Sequence, residues 1–258
     1  MILNGKVAII SGAGKGLGRA SAIAMAKEGA KVVLLARTRS DLENVAHEIQ
    51  ANGGKGLPVP TDISSLKEVR GAVRKTLEAF DSIDIIMNNA AVSGPIGPMH
   101  GATSEEWVQA LQVNLVGVFL LAREALPEMI SKKHGKIINV TSGLGQMVMP
   151  GLGAYSVAKA GVIHLTRIMA EELRPYNIQV NGLDPGVMDT PLQTWIREQG
   201  VQLLPRDISR QFVELKEKGL LKAPEKVAKL AVFLASSASD HLTGHVGTES
   251  YFSRFGYD

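Results

Sequence analysis

The 258-residue chain predicts a single α/β domain, a doubly wound parallel sheet with helices on both faces. Three observations carry that prediction. Short β-rich runs alternate with amphipathic stretches of helical length. Several of the runs are almost entirely apolar, as strands covered on both faces must be. No composition break, linker or repeat divides residues 1–258.

The elements follow in order. "KVAII" (6–10) is the first strand, and the glycine-rich "SGAGKGLG" (11–18) links it to a helix in "RASAIAMAKEGA" (19–30), where Gly29 is the C-terminal stop. "KVVLLA" (31–36) is the second strand. The next helix lies in "SDLENVAHEIQANGG" (40–54), with Ser40 or Asp41 as its cap. Further strands read "KGLPVP" (55–60), "IDIIMN" (83–88), "GKIINVT" (135–141) and "IQVNGLD" (178–184). A less regular segment, 191–223, contains "TWIREQG" and "RQFVELKEKGL" and reads as one or two helices. Ligands bind beyond the C-terminal strand ends of open α/β sheets, so the segment suits a substrate lid; a packing helix pair is the plainer reading.

Composition narrows the function. Apolar residues make up 45% and charged residues 21%, enough for a sizeable core. The net charge of +3 comes without a basic cluster, so no nucleic-acid partner is expected. The absence of cysteine removes disulfides, zinc–thiolate sites and thiol catalysis. A strand from Lys6 leaves no room for a signal peptide, and "LVGVFLLA" (115–122) falls short of the ~20 residues of a membrane helix. A cytoplasmic protein without membrane partners is expected. His241 and His245 stand four apart without a carboxylate cluster, so they read as surface residues and no metal site is expected.

The loop "SGAGKGLG" follows a strand and opens a helix, the context in which backbone N–H groups and a helix N-terminus face a pyrophosphate. Its glycines are spaced G-x-x-x-G-x-G (Gly12, Gly16, Gly18), with Gly14 extra. An ordinary strand–helix turn has similar letters, so the second strand matters. It ends at Ala36 and Arg37, with no acid for a ribose 2′-hydroxyl. Arg37 offers forked donors to a 2′-phosphate and Lys15 a second positive charge, which favours NADP over NAD. The alternative is that both are solvated surface charges.

Chemistry concentrates in "YSVAKAG". Tyr155 and Lys159 are four apart and share one helix face. A free phenol has a pKa of ~10, and a neighbouring ammonium lowers it, so Tyr155 can exchange a proton with a carbonyl oxygen. Ser142, at a strand end thirteen residues earlier, can hold that oxygen. Asn114 interrupts an apolar helical stretch and needs a hydrogen-bond partner. Alone, each has a bland reading: a surface aromatic–cation pair, a turn serine, a structural asparagine.

Together these residues resemble the short-chain dehydrogenase/reductase family. "SGAGKGLG", "TDIS" around Asp62, "NNAA" (88–91), Asn114, Ser142, "YSVAK" and "DPGVMDT" occur in the family's order across about residues 5–245. The resemblance implies a Rossmann-type sheet of about seven strands, in the order 3-2-1-4-5-6-7. It implies a catalytic tetrad of Asn114, Ser142, Tyr155 and Lys159. Tyr155 is then the acid/base, Ser142 the substrate anchor and Lys159 the ribose ligand that lowers the tyrosine pKa. Asn114 holds a proton-relaying water. Cofactor contacts are implied for Gly12, Gly14, Lys15, Gly16, Leu17, Gly18 and Arg37. Further contacts come from Asp62, Ile63, Asn89 and Ala90, with Asn88 alongside. Pro185, Gly186, Val187 and Thr190 border the nicotinamide.

The expected activity is NADP(H)-dependent hydride transfer to or from a small-molecule carbonyl or secondary alcohol, as in a 3-oxoacyl-thioester reductase or a general carbonyl reductase. The alternative is a non-catalytic NADP-binding sensor or scaffold. A homodimer or homotetramer is expected by analogy. Two departures stand out. Asp184 puts a charge where the family more often has asparagine. The usual C-terminal "VDGG" is replaced by "TGHVGTESYFSRFGYD", which leaves the last strand uncertain from sequence.

Overall fold

In the computed structural model, which describes residues 1–257 without the side chains of Gln199 and Val201, the sheet grows outward from β1 (Val7–Ser11). On one side it pairs in parallel with β2 (Lys31–Ala36), which pairs with β3 (Lys55–Pro60). On the other side come β4 (Ile85–Asn88), β5 (Gly135–Val140), β6 (Ile178–Leu183) and β7 (Val246–Gly247). The order is β3-β2-β1-β4-β5-β6-β7, all parallel. β1, β4, β5 and β6 are buried along their whole length, so they are largely apolar and their polar residues are partnered: Asn139 accepts from Asn88 at 2.8 Å and Asn181 donates to the Leu242 carbonyl at 2.9 Å.

Two apolar cores sandwich the sheet. On one face pack α1 (Gly16–Lys27), α2 (Arg39–Ala51) and α9 (Pro224–Ala235), through residues such as Ile23, Val45 and Leu230. On the other face pack α3 (Leu66–Phe80), α5 (Gly117–Lys132) and α6 (Gly153–Leu173), through Val69, Leu121 and Met169. A short helix, α4 (Ser104–Leu111), is closed by a Thr103–Glu106 capping box and runs through a π-helical turn (Gln112–Val116) into α5. Beyond the C-terminal strand ends, α7 (Pro191–Leu203) and α8 (Arg206–Glu217) enclose a third cluster of Leu152, Ile196, Leu204, Ile208 and Phe212.

Several boundaries differ from the sequence reading. α1 begins at Gly16, three residues early, because the glycine loop itself supplies the first helical turn. α2 is preceded by Thr38, not capped by Ser40 or Asp41, and Asp41 turns instead to Lys15 at 3.1 Å. β4 starts at Ile85, since Asp84 spends its carboxylate on the Val7 N–H at 2.9 Å. The last strand survives as two residues. The tail then forms α10 (Glu249–Phe252), with Phe252 fully buried and Tyr257 edge-on to Phe233 at 5.6 Å. His245 is not a surface residue: it is half-buried, its Nδ1 2.9 Å from the Tyr251 hydroxyl. Among the described residues no helix is long and apolar enough to cross a membrane.

Candidate functional site

The loop after β1 is shaped by backbone demands. Gly12 has φ +66°, and a Cβ there would stand 2.8 Å from Asn89 Nδ2. Asn89 donates from that nitrogen to the Ser11 and Gly12 carbonyls at 2.9 and 3.2 Å, and the Ser11 hydroxyl accepts the Asn89 and Ala90 N–H groups. Gly18 packs so closely that a Cβ there would collide with the Gly12 oxygen. Lys15 occupies the position before α1 and supplies no side-chain cap, so the first N–H groups of the helix are left for a ligand.

Three cavities run from this loop toward α7 and α8. The first, about 290 Å³, is lined by Gly14, Lys15, Arg37, Asp41, Asp62 and Ile63, among others. The second, about 220 Å³, shares Gly12, Lys15 and Ala90 with the first and reaches Leu17, Tyr155 and Lys159. The third, about 90 Å³, shares Tyr155, Pro185 and Thr190 with the second and is closed by α7 and α8. A recess that holds Arg37 and the Lys15–Asp41 pair, an uncapped helix start and a cleft leading to Tyr155 fit a dinucleotide laid across the strand ends. At its far end, Asp62 accepts the Ser64 N–H and hydroxyl. These hydrogen bonds, with the Arg37 charge, hold its carboxyl below the usual range.

Tyr155 and Lys159 rise from the first turns of α6, where one helical turn brings them together: the Lys159 ammonium sits 5.6 Å from the Tyr155 ring centroid. Ser142, just past β5, accepts the Leu144 N–H at 3.2 Å and lines the same inner cavity as Tyr155. Lys159 is buried and donates to the Val140 carbonyl at 2.6 Å. Burial pushes the Lys159 ammonium down to about 8, opposed by the Asp184 carboxylate. Burial pushes the Tyr155 phenol up to about 12; Ser142 opposes this and Asp184 adds to it. In the chain by itself, burial therefore outweighs the depression expected from Lys159.

Most of the expected residues converge, and four do not reach the cleft as expected. Asn114 sits in the π-helical turn, fully buried. Its carboxamide accepts the Val92 N–H at 2.8 Å and donates to the Val92 carbonyl at 2.7 Å, so the side chain is a backbone clamp. Asn88 is buried beneath the cleft and donates to Asn139 at 2.8 Å rather than lying alongside a cofactor. Val187 lies outside the cavity walls; Met188 lines two of them instead. Gly18 serves loop packing, not the lining. Sequence reasoning also missed Asp41 and Gln193 as cavity residues. Asp41 was hidden by its suitability as a cap, and Gln193 by the absence of any local motif.

Comparison with known proteins agrees with this geometry. The family model described as short chain dehydrogenase matches residues 6–200. The chain is 33% identical over 246 residues to a 3-oxoacyl-[acyl-carrier-protein] reductase of Thermotoga maritima, covering 95% of this chain and 96% of that protein. It superposes on levodione reductase with a TM-score of 0.87 at 30% identity, covering 95% and 96% of the two chains. It superposes on a 3-ketoacyl-(acyl-carrier-protein) reductase from Brucella melitensis, solved with NADH, with a TM-score of 0.83 at 34% identity, covering 95% and 97%. The chain belongs to the short-chain dehydrogenase family and is a nicotinamide-dependent oxidoreductase.

Proposed function

We propose that this dehydrogenase uses NADP(H) to interconvert a carbonyl compound and its secondary alcohol, with Tyr155 as the acid/base. The observation that carries the reading is the placing of Tyr155 and Ser142 together on the wall of the inner cavity, with the Lys159 ammonium 5.6 Å from the Tyr155 ring centroid. When bound, the nicotinamide supplies or accepts the hydride. Ser142 donates a hydrogen bond to the substrate oxygen and holds it beside the Tyr155 hydroxyl, which gives up its proton during reduction and takes one back during oxidation. Lys159 places positive charge where the phenolate forms. The Asn114 carboxamide is committed to Val92, so any part it has in proton relay belongs to its main chain.

Arg37 supports NADP over NAD. It lines the outer cavity, no acid ends β2, and among the described residues Arg37 forms no ion pair within 4 Å. Gly12, Gly14, Gly16 and Leu17 serve as the pyrophosphate cradle, with Asp62, Ile63, Asn89 and Ala90 along the adenosine half. Pro185, Gly186 and Thr190 form the nicotinamide border. Residues 191–223 act as the lid, consistent with α7 and α8 closing the inner cavity. Association into a homodimer or homotetramer is supported by exposed Val108, Phe119, Val157 and Ile168 on α4, α5 and α6.

The test is Tyr155→Phe. It loses about 10²–10⁴-fold in turnover, the usual contribution of a positioned acid/base, while NADPH binding by fluorescence titration stays within a few fold. Retained turnover overturns the assignment.

A further inference from the structure

The inner cavity differs in chemistry from the rest of the cleft. The outer cavity holds Lys15, Arg37, Asp41 and Asp62. The inner one is lined by thirteen residues, none of them Asp, Glu, Lys, Arg or His. Its walls are mostly apolar: Leu144, Leu152, Leu192, Ile196 and Phe212. At about 90 Å³ it is far below the ~300 Å³ where drug-sized pockets begin. A substrate ion has no counter-charge there, and an uncompensated buried charge is strongly disfavoured.

One feature breaks the apolar lining on the lid side. Gln193 projects from the first turn of α7, and its side-chain oxygen is buried with no hydrogen-bond partner. The Thr190 hydroxyl accepts the Gln193 main-chain N–H at 3.4 Å, but the Gln193 carboxamide does not return the capping-box bond to the Thr190 N–H, so its oxygen has no capping duty. A buried, unpaired amide oxygen is costly, and a ligand group that pairs with it recovers that cost. The carboxamide can accept from a hydroxyl or, turned over, donate to a carbonyl. Ser142 and Tyr155 already account for the reacting oxygen, so Gln193 is free to serve a second one.

We propose that Gln193 is a specificity-determining residue, and that the substrate is a compact, uncharged ketone or secondary alcohol bearing a second neutral oxygen function, hydroxyl or keto. This rests on the reading of Tyr155 as acid/base at a carbonyl. A site built around such a polar contact rejects the analogue that lacks it far more strongly than an apolar pocket rejects a missing methylene. A long acyl thioester exceeds the about 90 Å³ of the inner cavity, and a carboxylate-bearing ketone meets no cation in its lining.

The test compares kcat/KM, with NADPH, for cyclohexanone, its hydroxy and keto derivatives, and 4-oxocyclohexanecarboxylate. The wild-type protein is expected to favour the best neutral derivative over both cyclohexanone and the carboxylate by at least about tenfold. Gln193→Met is expected to erase most of that preference, chiefly by raising KM for the oxygenated derivatives relative to cyclohexanone. Gln193→Ala provides a second variant, and unchanged NADPH affinity shows that each is folded. Equal rates across the panel, preference for the carboxylate, or a preference that survives both variants would overturn the Gln193 inference alone. Failure of every ketone to react would overturn it together with the Tyr155 reading.

Discussion

Lys15 shows how one contact changes the meaning of a residue. From sequence it is a spare cation beside a phosphate loop; in the fold it is paired with Asp41 at 3.1 Å, and both line the outer cavity with Arg37. On the proposed NADP reading, Asp41 competes with the 2′-phosphate for Lys15. Replacing it by Asn should tighten NADPH binding several-fold and leave NADH nearly unchanged, as fluorescence titration would report. Arg37→Asp removes the unpaired cation and adds repulsion; it should weaken NADPH by at least ten- to a hundredfold, equivalent to ~1.5–3 kcal/mol. Lys15→Ala should cost less than Arg37→Asp, because Lys15 must leave Asp41 to serve the phosphate. Equal effects on both cofactors would contradict these roles.

Asp184 acts on the same scale. It is buried, accepts the Gly186 N–H at 2.9 Å, and its charge raises the pKa of both Tyr155 and Lys159. Asn keeps the hydrogen bond and removes the charge. The phenolate then forms more readily, so Tyr155 titrates lower. Reduction needs the neutral phenol, so its alkaline limb should move to lower pH in Asp184→Asn. Oxidation needs the phenolate, so its acid limb should move the same way. A pH–rate profile that stays put would mean the Asp184 field does not reach the phenol.

At the level of elements, sequence was most informative where one local pattern determines one geometry. The runs 31–36 and 55–60 are β2 and β3 to the residue, and a spacing of four places Tyr155 and Lys159 together on α6. Legibility ended where a side chain has two competing partners. Asp41 suits a helix cap, yet Lys15 claims it; Asn114 suits a catalytic role, yet the Val92 backbone takes its whole carboxamide. Gln193 belongs to no motif, and only the folding of α7 over the strand ends brings it to the cavity. The phosphate loop is the element with least tolerance. Gly18→Ala drives a Cβ into the Gly12 carbonyl and Asn89, so both must move. Loss of about 1–3 kcal/mol in urea unfolding is expected, with cofactor affinity falling in parallel. Normal stability and affinity in this variant would show that the loop is looser than its packing implies.

For the whole molecule, the parallel sheet brings every functional segment to one edge. The loops after β1, β2, β4, β5 and β6 all contribute to the three cavities, although their residues span 11 to 190 in sequence. The atypical tail does not leave this fold open: Phe252 fills the core beside β7, and Tyr257 closes on Phe233 from α9. Apolar surface remains on α4, α5 and α6, where Val108, Phe119, Val157 and Ile168 are exposed. Sedimentation at micromolar concentration should give a dimer or tetramer, and Phe119→Glu with Val157→Glu should shift it toward monomer. A wild-type monomer would contradict that assembly.

The central claim, hydride transfer from NADP(H) to a carbonyl with Tyr155 supplying the proton, is tested most directly by isotope transfer. The protein is incubated with NADPH deuterated at the transferable position and a ketone, and the alcohol is analysed by mass spectrometry. The wild-type protein should place one deuterium on the carbinol carbon, while Tyr155→Phe should bind the same cofactor and form almost no deuterated alcohol. Deuterated alcohol formed as fast by Tyr155→Phe, or none formed by the wild-type protein from any ketone, would contradict the account.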